Sequence, residues 1–219
     1  MTHRIGIALL LILTLSACGV TDSDPDTYTQ ATLARFRVDE VQSYQGQRLD
    51  PAIGPRDNSI KGIQYLNLDT YTLTISGIGG STHTLTYDEV IAYDTQQRLI
   101  TLHCVEGWEA TILWEGVALM DLIALANPSA QVTTIIFHAA DGYTTSLPLE
   151  TIQSKDLILA YRANGLPLPP EMGYPFMVVA QEKLGYKWAR WVTEIELSSD
   201  ENYQGYWESR GYSNLADVE

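Results

Sequence analysis

The chain has 219 residues and sets 27 acidic side chains against 13 basic ones, a formal charge of −14. A surface this negative repels phosphate backbones and anionic headgroups, which excludes nucleic acid as a partner and a membrane surface held by charge. No apolar run reaches membrane-spanning length, and no internal repeat or low-complexity block interrupts the sequence.

The first residues form a targeting pattern. His3 and Arg4 make a weakly basic head, Ile5 to Leu13 are almost entirely aliphatic, and Leu15-Ser16-Ala17-Cys18 sets small residues before a cysteine. This ending resembles a bacterial lipoprotein signal. It implies cleavage after residue 17 and lipid on Cys18, the protein's only contact with a membrane, facing the periplasm or cell exterior. A short anchor helix with an incidental cysteine is the alternative. Residues 18–30, with Asp22, Asp24, Pro25 and Asp26, read as a flexible tether, and residues 31–219 as a single domain.

Along that domain, short strand patterns alternate with turn signals. Tyr71 to Ser76 alternates apolar and polar residues up to Gly77, and Thr82 to Thr86 resumes the pattern. Thr86-Tyr87-Asp88-Glu89 has capping-box spacing and predicts a short helix through Tyr93. Leu99 to Cys104 and Ala110 to Trp114 are predicted strands, and Gly116 to Ala126 a buried helix ending at Asn127-Pro128. Val132 to Phe137, Leu157 to Tyr161, Phe176 to Ala180 and Trp188 to Leu197 follow as strands. In the last, alternation places Trp191, Thr193, Ile195 and Leu197 on one face and Glu194 and Glu196 on the other. The fold class is α+β, strand-rich mixed sheets with few, short helices. The aromatic segment Tyr203 to Tyr212 either folds back over the domain or presents an interaction surface.

Familiar catalytic signatures are absent: the sequence has no Cys-x-x-Cys, His-Glu-x-x-His, Gly-x-Ser-x-Gly or phosphate-binding Gly-x-x-x-x-Gly-Lys. In an extended Leu99 to Cys104, His103 and Cys104 point to opposite faces and cannot easily share a zinc ion. His83 and His138 are isolated and read as structural. With Cys18 committed to lipid, Cys104 has no disulfide partner. An exported free thiol needs burial or a ligand, and a small buried hydrophobe is the plainer of those readings.

The stretch Cys104-Val105-Glu106-Gly107-Trp108, then Trp114-Glu115-Gly116-Val117, Asp141-Gly142-Tyr143, Leu159-Ala160-Tyr161, Asn164-Gly165-Leu166-Pro167-Leu168, Gly173-Tyr174-Pro175, Gly185-Tyr186-Lys187 and Trp191-Val192 form an ordered set. It resembles the molybdopterin-binding domain of the sulfite oxidase family, in the branch of the periplasmic methionine-sulfoxide reductases, from about Asn58 to Leu197. The resemblance implies a sulfite-oxidase-type molybdopterin-binding fold, a molybdenum-molybdopterin cofactor, and Cys104 as the catalytic thiolate ligand of the metal. It also implies that Asn58, Lys61 and Gly62 on one side, and Lys187, Trp188 and Arg190 on the other, hold the cofactor.

The implied activity is oxygen-atom transfer with a small-molecule substrate and, in the absence of a haem domain, a separate electron-transfer protein. Met177 stands where the family usually has an arginine, and Met172, Ala139 and Gln181 depart from it as well. Loss of the arginine removes a bidentate anion clamp, which argues against a sulfite-like substrate. No Arg-Arg pair marks the signal for folded export, so a cofactor-free binding lipoprotein keeping the fold is the second reading.

Overall fold

The computed structural model describes residues 25–54 and 59–218. The signal segment, Cys18 and Asn58 lie outside the described residues. The first element, α1 (Pro25–Asp39), is a helix, so residues 25–30 of the expected tether begin a helix that buries Phe36. A small hairpin, β1 (Ser43–Tyr44) and β2 (Gln47–Arg48), follows, then β3 (Leu73–Gly77), β4 (His83–Leu85) and α2 (Tyr87–Ile91). The predicted capping box is present: Glu89 N–H donates to Thr86 Oγ1, and Thr86 N–H donates to Glu89 Oε2 at 2.8 Å. The helix stops at Ile91, one half-turn before the predicted end.

The chain then forms the long hairpin β5 (Thr95–His103) and β6 (Glu109–Ala118), followed by α3 (Leu119–Leu125). The predicted helix from Gly116 is corrected here. Gly116, Val117 and Ala118 pair with the strand formed by residues 158–163, and a Cβ at Gly116 would lie 2.3 Å from the Leu159 carbonyl oxygen. Close strand approach at a glycine decides the local structure against the helical apolar pattern. Next come β7 (Thr134–Ala139), β8 (Thr144–Pro148), α4 (Leu149–Lys155), β9 (Ile158–Ala163), β10 (Leu166–Pro167), β11 (Met177–Val179) and β12 (Val192–Ser198).

Among the described residues these strands form two five-stranded sheets. One has the order β10-β9-β6-β5 with β11 also on β9; the other is β4-β3-β12-β7-β8. All their pairings are antiparallel except β12 with β3, so the second sheet is mixed. β6 and β9 are central and covered on both faces, so their residues read as nearly continuous apolar runs instead of alternating. Ile112, Trp114 and Leu159 from one sheet and Ile75, Phe137 and Ile195 from the other join one continuous core.

The closing strand begins at Val192, four residues later than predicted. Gly185–Lys187 is a turn of 3₁₀ helix, and Trp191 adopts φ +50°, which an extended strand cannot accommodate. A bulge between Val192 and Glu194 then resets the alternation. Val192 enters the core beside Ile195 and Leu197, while Thr193 is only half-buried. Glu194 and Glu196 accept hydrogen bonds from Ser76 and pair with His138, respectively. Beyond β12 the chain crosses back over the domain, and its C-terminal segment joins the wall of a cleft.

Candidate active site

Cys104 lies one residue past β5, at the first position of the hairpin turn. Its N–H donates to the Trp108 carbonyl at 2.9 Å, and Gly107 N–H donates to the Cys104 carbonyl at 3.0 Å. Gly107 has φ +84°, the left-handed conformation that closes such a turn and that a side chain would strain. The tight turn fixes the thiol at a half-buried position beneath the exposed tip residues Val105 and Glu106. His103, on the preceding residue, pairs with Glu109 at 3.2 Å and lines a separate depression.

The Cys104 side of the hairpin opens into a cleft of about 210 Å³. Leu102, Cys104 and Trp108 form one wall, Asp141 and Tyr143 from the β7–β8 turn a second, and Gly185, Tyr186, Trp188, Arg190 and Trp191 a third. Ser59 closes one end, and Trp207 and Tyr212 from the C-terminal segment cover another side.

Backbone geometry sets the cationic group in this cleft. Arg190 Nη1 donates to the Glu171 carbonyl at 3.0 Å, and a Cβ at Gly173 would lie 2.7 Å from Arg190 Cβ. The glycine of Gly173-Tyr174-Pro175 therefore exists to let this loop pass against Arg190; its φ of +99° makes the same demand. The neighbouring Trp191 holds its own left-handed backbone through an N–H bond to the Gly173 carbonyl and an indole N–H bond to the Pro170 carbonyl at 2.7 Å. Strain of this kind persists only where surrounding bonds over-determine it.

Asp141 is almost fully buried and joins two segments. Oδ1 accepts the Tyr143 N–H at 2.9 Å, an Asx turn, and Oδ2 accepts the Ile60 N–H at 3.3 Å. It thereby holds the segment containing Lys61 against the β7–β8 turn, with the Lys61 ammonium beside Gly142. Burial pushes the Tyr143 hydroxyl far above the ordinary phenol range, and its bond to the Tyr186 carbonyl keeps it aimed. Burial, with the nearby Glu208 carboxylate second, pushes Tyr186 up to about 12. Both phenols stay neutral donors at physiological pH.

A model of the oxidoreductase molybdopterin binding domain matches residues 60–207. The chain belongs to this family. Among its relatives, the oxidoreductase YuiH of Bacillus subtilis is 32% identical over 154 residues, covering 70% of this chain and 77% of the relative. The putative protein-methionine-sulfoxide reductase subunit YedZ1 of Azospira oryzae is 26% identical, covering 91% and 80%. Rat mitochondrial sulfite oxidase is 28% identical over 181 residues, covering 69% of this chain but only 33% of that larger enzyme. Among solved structures, the sulfane dehydrogenase SoxCD of Paracoccus pantotrophus superposes with a TM-score of 0.63 at 17% identity, covering 95% of this chain and 59% of that one. The sulfite-oxidase-type fold expected from the sequence is the fold observed.

Within this family framework, the structure brings Cys104, Trp188 and Arg190 into one cleft and sets Lys61 at its edge beside Gly142. Gly62 has φ +79° and open space around it, so it turns the Lys61 segment. Trp188 is buried, tilted against Trp114 at 5.6 Å, with its indole N–H on the Lys183 carbonyl; only part of it reaches the cleft.

Lys187 departs from the cofactor-binding role expected for it. Its side chain is fully buried, with Nζ donating to Glu208 Oε1 at 2.6 Å and to the Ser146 carbonyl and Asn214 Oδ1 at 3.0 Å each. Burial lowers its pKa against the opposing pull of Glu208. Its donors are committed to interior partners, because the 3₁₀ turn of residues 185–187 directs it under the C-terminal segment. Met177 is likewise buried, in β11, and Met172 in the turn before it, so neither lines the cleft.

Asp141, Tyr143, Tyr186, Trp207 and Tyr212 are cleft residues that reasoning on candidate ligands passed over. The Asp-Gly turn and the aromatic tail were visible as patterns, but only the tertiary fold directs them to Cys104.

Proposed function

We propose that the chain is a molybdenum-dependent oxidoreductase in which the Cys104 thiolate ligates the metal of a molybdopterin cofactor. It is tethered to a bacterial membrane, facing the periplasm or cell exterior, through lipid on Cys18. The observation that carries this reading is a free thiol fixed by a tight hairpin turn in the wall of a cleft that Arg190 also lines.

The residues present fit such a cofactor. A soft thiolate suits a redox-active metal, and a single protein ligand suits a metal that arrives with its own sulfur donors. Arg190, in the cleft, and Lys61, at its edge, supply positive charge for a phosphate group, with Asn58 assigned beside them from its place in the sequence. When bound, the cofactor supplies a metal that exchanges an oxygen atom with substrate while changing oxidation state.

The chain's own groups do the rest. The hairpin turn holds the thiol in place, Gly173 and Trp191 orient Arg190, and Asp141 ties the Lys61 segment to the site. Tyr143 and Tyr186 remain protonated with their O–H groups committed to the Tyr186 and Ser213 carbonyls, so they brace the cleft wall and cannot serve as bases. The cleft's aromatic walls exclude water from the reacting group. With its largely aromatic lining of Trp108, Tyr143, Tyr186, Trp188, Trp207 and Tyr212, the cleft is suited to a small uncharged substrate such as a sulfoxide. Removing oxygen from it consumes an electron pair and protons and releases water, so a separate electron-transfer protein completes the reaction.

The test is elemental analysis of the membrane-extracted protein from a molybdenum-replete host. Stoichiometric molybdenum that disappears in Cys104→Ser supports the proposal. Metal-free protein would instead favour the binding lipoprotein.

A further inference from the structure

The C-terminal segment is unusually well fastened for a terminus. Tyr206 N–H donates to the Thr144 carbonyl at 2.9 Å, and a Cβ at Gly205 would meet that carbonyl at 2.2 Å, so the backbone lies directly on β8. Glu208 enters the interior, accepts from Thr145 Oγ1 and Lys187 Nζ at 2.6 Å each, and is fully buried along its side chain. Further on, Tyr186 Oη donates to the Ser213 carbonyl, and Leu184 N–H to the Ala216 carbonyl.

These anchors support a closed run of rings. Tyr143 meets Tyr206 at 5.9 Å, Tyr206 meets Trp207 at 5.2 Å, Trp207 meets Tyr212 at 5.2 Å, and Tyr212 meets Tyr186 at 5.4 Å. Tyr186 returns to Tyr143 through the Tyr143 hydroxyl on its carbonyl. The Arg210 guanidinium lies 3.6 Å from the centre of the Tyr206 ring, on a residue that does not line the cleft. Of the five rings, Tyr143, Tyr186, Trp207 and Tyr212 face the cleft that holds Cys104.

We propose that Trp207 and Tyr212 are specificity-determining residues that bind the aryl or methyl substituent of an uncharged sulfoxide, with the buried Lys187–Glu208 pair as the positioning element that holds them there. The substrate class rests on the molybdenum-dependent reading above. Aromatic faces reward contact with flat or methylated apolar groups, and they offer a small anion nothing to replace its lost hydration. Tyr212 is 41% exposed in spite of its ring contacts, which leaves a face for a ligand to cover.

The test is calorimetric titration of methyl phenyl sulfoxide, with sulfite as the anionic comparison, into the full-length protein and its Trp207→Ala, Tyr212→Ala and Trp207→Phe variants. Each preparation is also assayed for molybdenum and for sulfoxide reduction with a reduced viologen dye. Expected is a loss of sulfoxide affinity of about tenfold in each alanine variant, seen in KM and not in kcat, with sulfite affinity unmoved and Trp207→Phe close to the parent. Unchanged sulfoxide affinity in both alanine variants would overturn the proposal. So would loss of molybdenum in Trp207→Ala, since the wall would then serve the cofactor. A parent protein without molybdenum refutes the molybdenum reading alone; the binding titrations still decide whether Trp207 and Tyr212 hold the sulfoxide.

Discussion

Replacing Lys187 by methionine removes the ammonium from the buried cluster at Glu208 while keeping much of the side-chain length. Glu208 is then a buried carboxylate whose Oε1 keeps only Thr145 and whose Oε2 has no partner to begin with. The Ser146 carbonyl and Asn214 Oδ1 lose a donor as well. Breaking a buried ion pair from one side costs about 3–5 kcal/mol, because the remaining charge is left desolvated. For a chain of this size that corresponds to a fall in Tm of about 6–20 °C. Urea unfolding followed by tryptophan fluorescence reads the free energy, and the double variant Lys187→Met/Glu208→Gln should recover about 2–3 kcal/mol of it as coupling. A loss below about 1 kcal/mol, accompanied by a drop in molybdenum content, would refute the reasoning and return Lys187 to the cofactor-facing role that its sequence position implied.

Gly116→Ala sets a methyl group against the Leu159 carbonyl and should cost at least about 1–3 kcal/mol in the same unfolding assay; unchanged stability would mean that β6 and β9 do not approach as described. Asp141→Ala frees the Ile60 and Tyr143 N–H groups, and limited proteolysis should then cut near Lys61 faster than in the parent. Alkaline stability should fall from about pH 10 upward. Burial holds the Tyr71 and Tyr143 protons past the pH at which the unfolded chain releases them, so the unfolded state binds fewer protons there and stability drops. The lowered pKa of Lys187 acts in the opposite sense just below its ordinary value, but through one group against five, since Tyr87, Tyr174 and Tyr186 are raised as well. Tyr71→Phe should flatten the decline, and an unchanged slope of Tm against pH between 10 and 11 would contradict the assignment.

Local signals in the sequence were reliable where a short motif closes its own hydrogen bonds. The Thr86–Glu89 capping box is such a case, whereas Cys104, read as the last residue of a strand, is the first residue of the turn after β5. They failed where a distant strand decides the outcome. Gly116 to Ala118 carry an apolar pattern compatible with a helix, and only β9 makes them a strand. In β12 strict alternation misplaced Val192 because the bulge depends on pairing with β7. Of the two cations named from family position, Arg190 lines the cleft while Lys187, three residues earlier, is buried against Glu208, because the 3₁₀ turn of residues 185–187 directs its side chain inward. The aromatic tail was conspicuous in composition, yet its destination depended on Glu208 finding Lys187, a contact across 21 residues that no periodicity encodes.

The most direct measurement of the central claim is X-ray absorption at the molybdenum edge on the native protein and on a Cys104→Ser variant reconstituted with cofactor. The account predicts one fewer sulfur scatterer around molybdenum in the variant, with the cofactor's own sulfurs retained. An identical sulfur count in the two proteins would show that Cys104 is not a ligand and would contradict it.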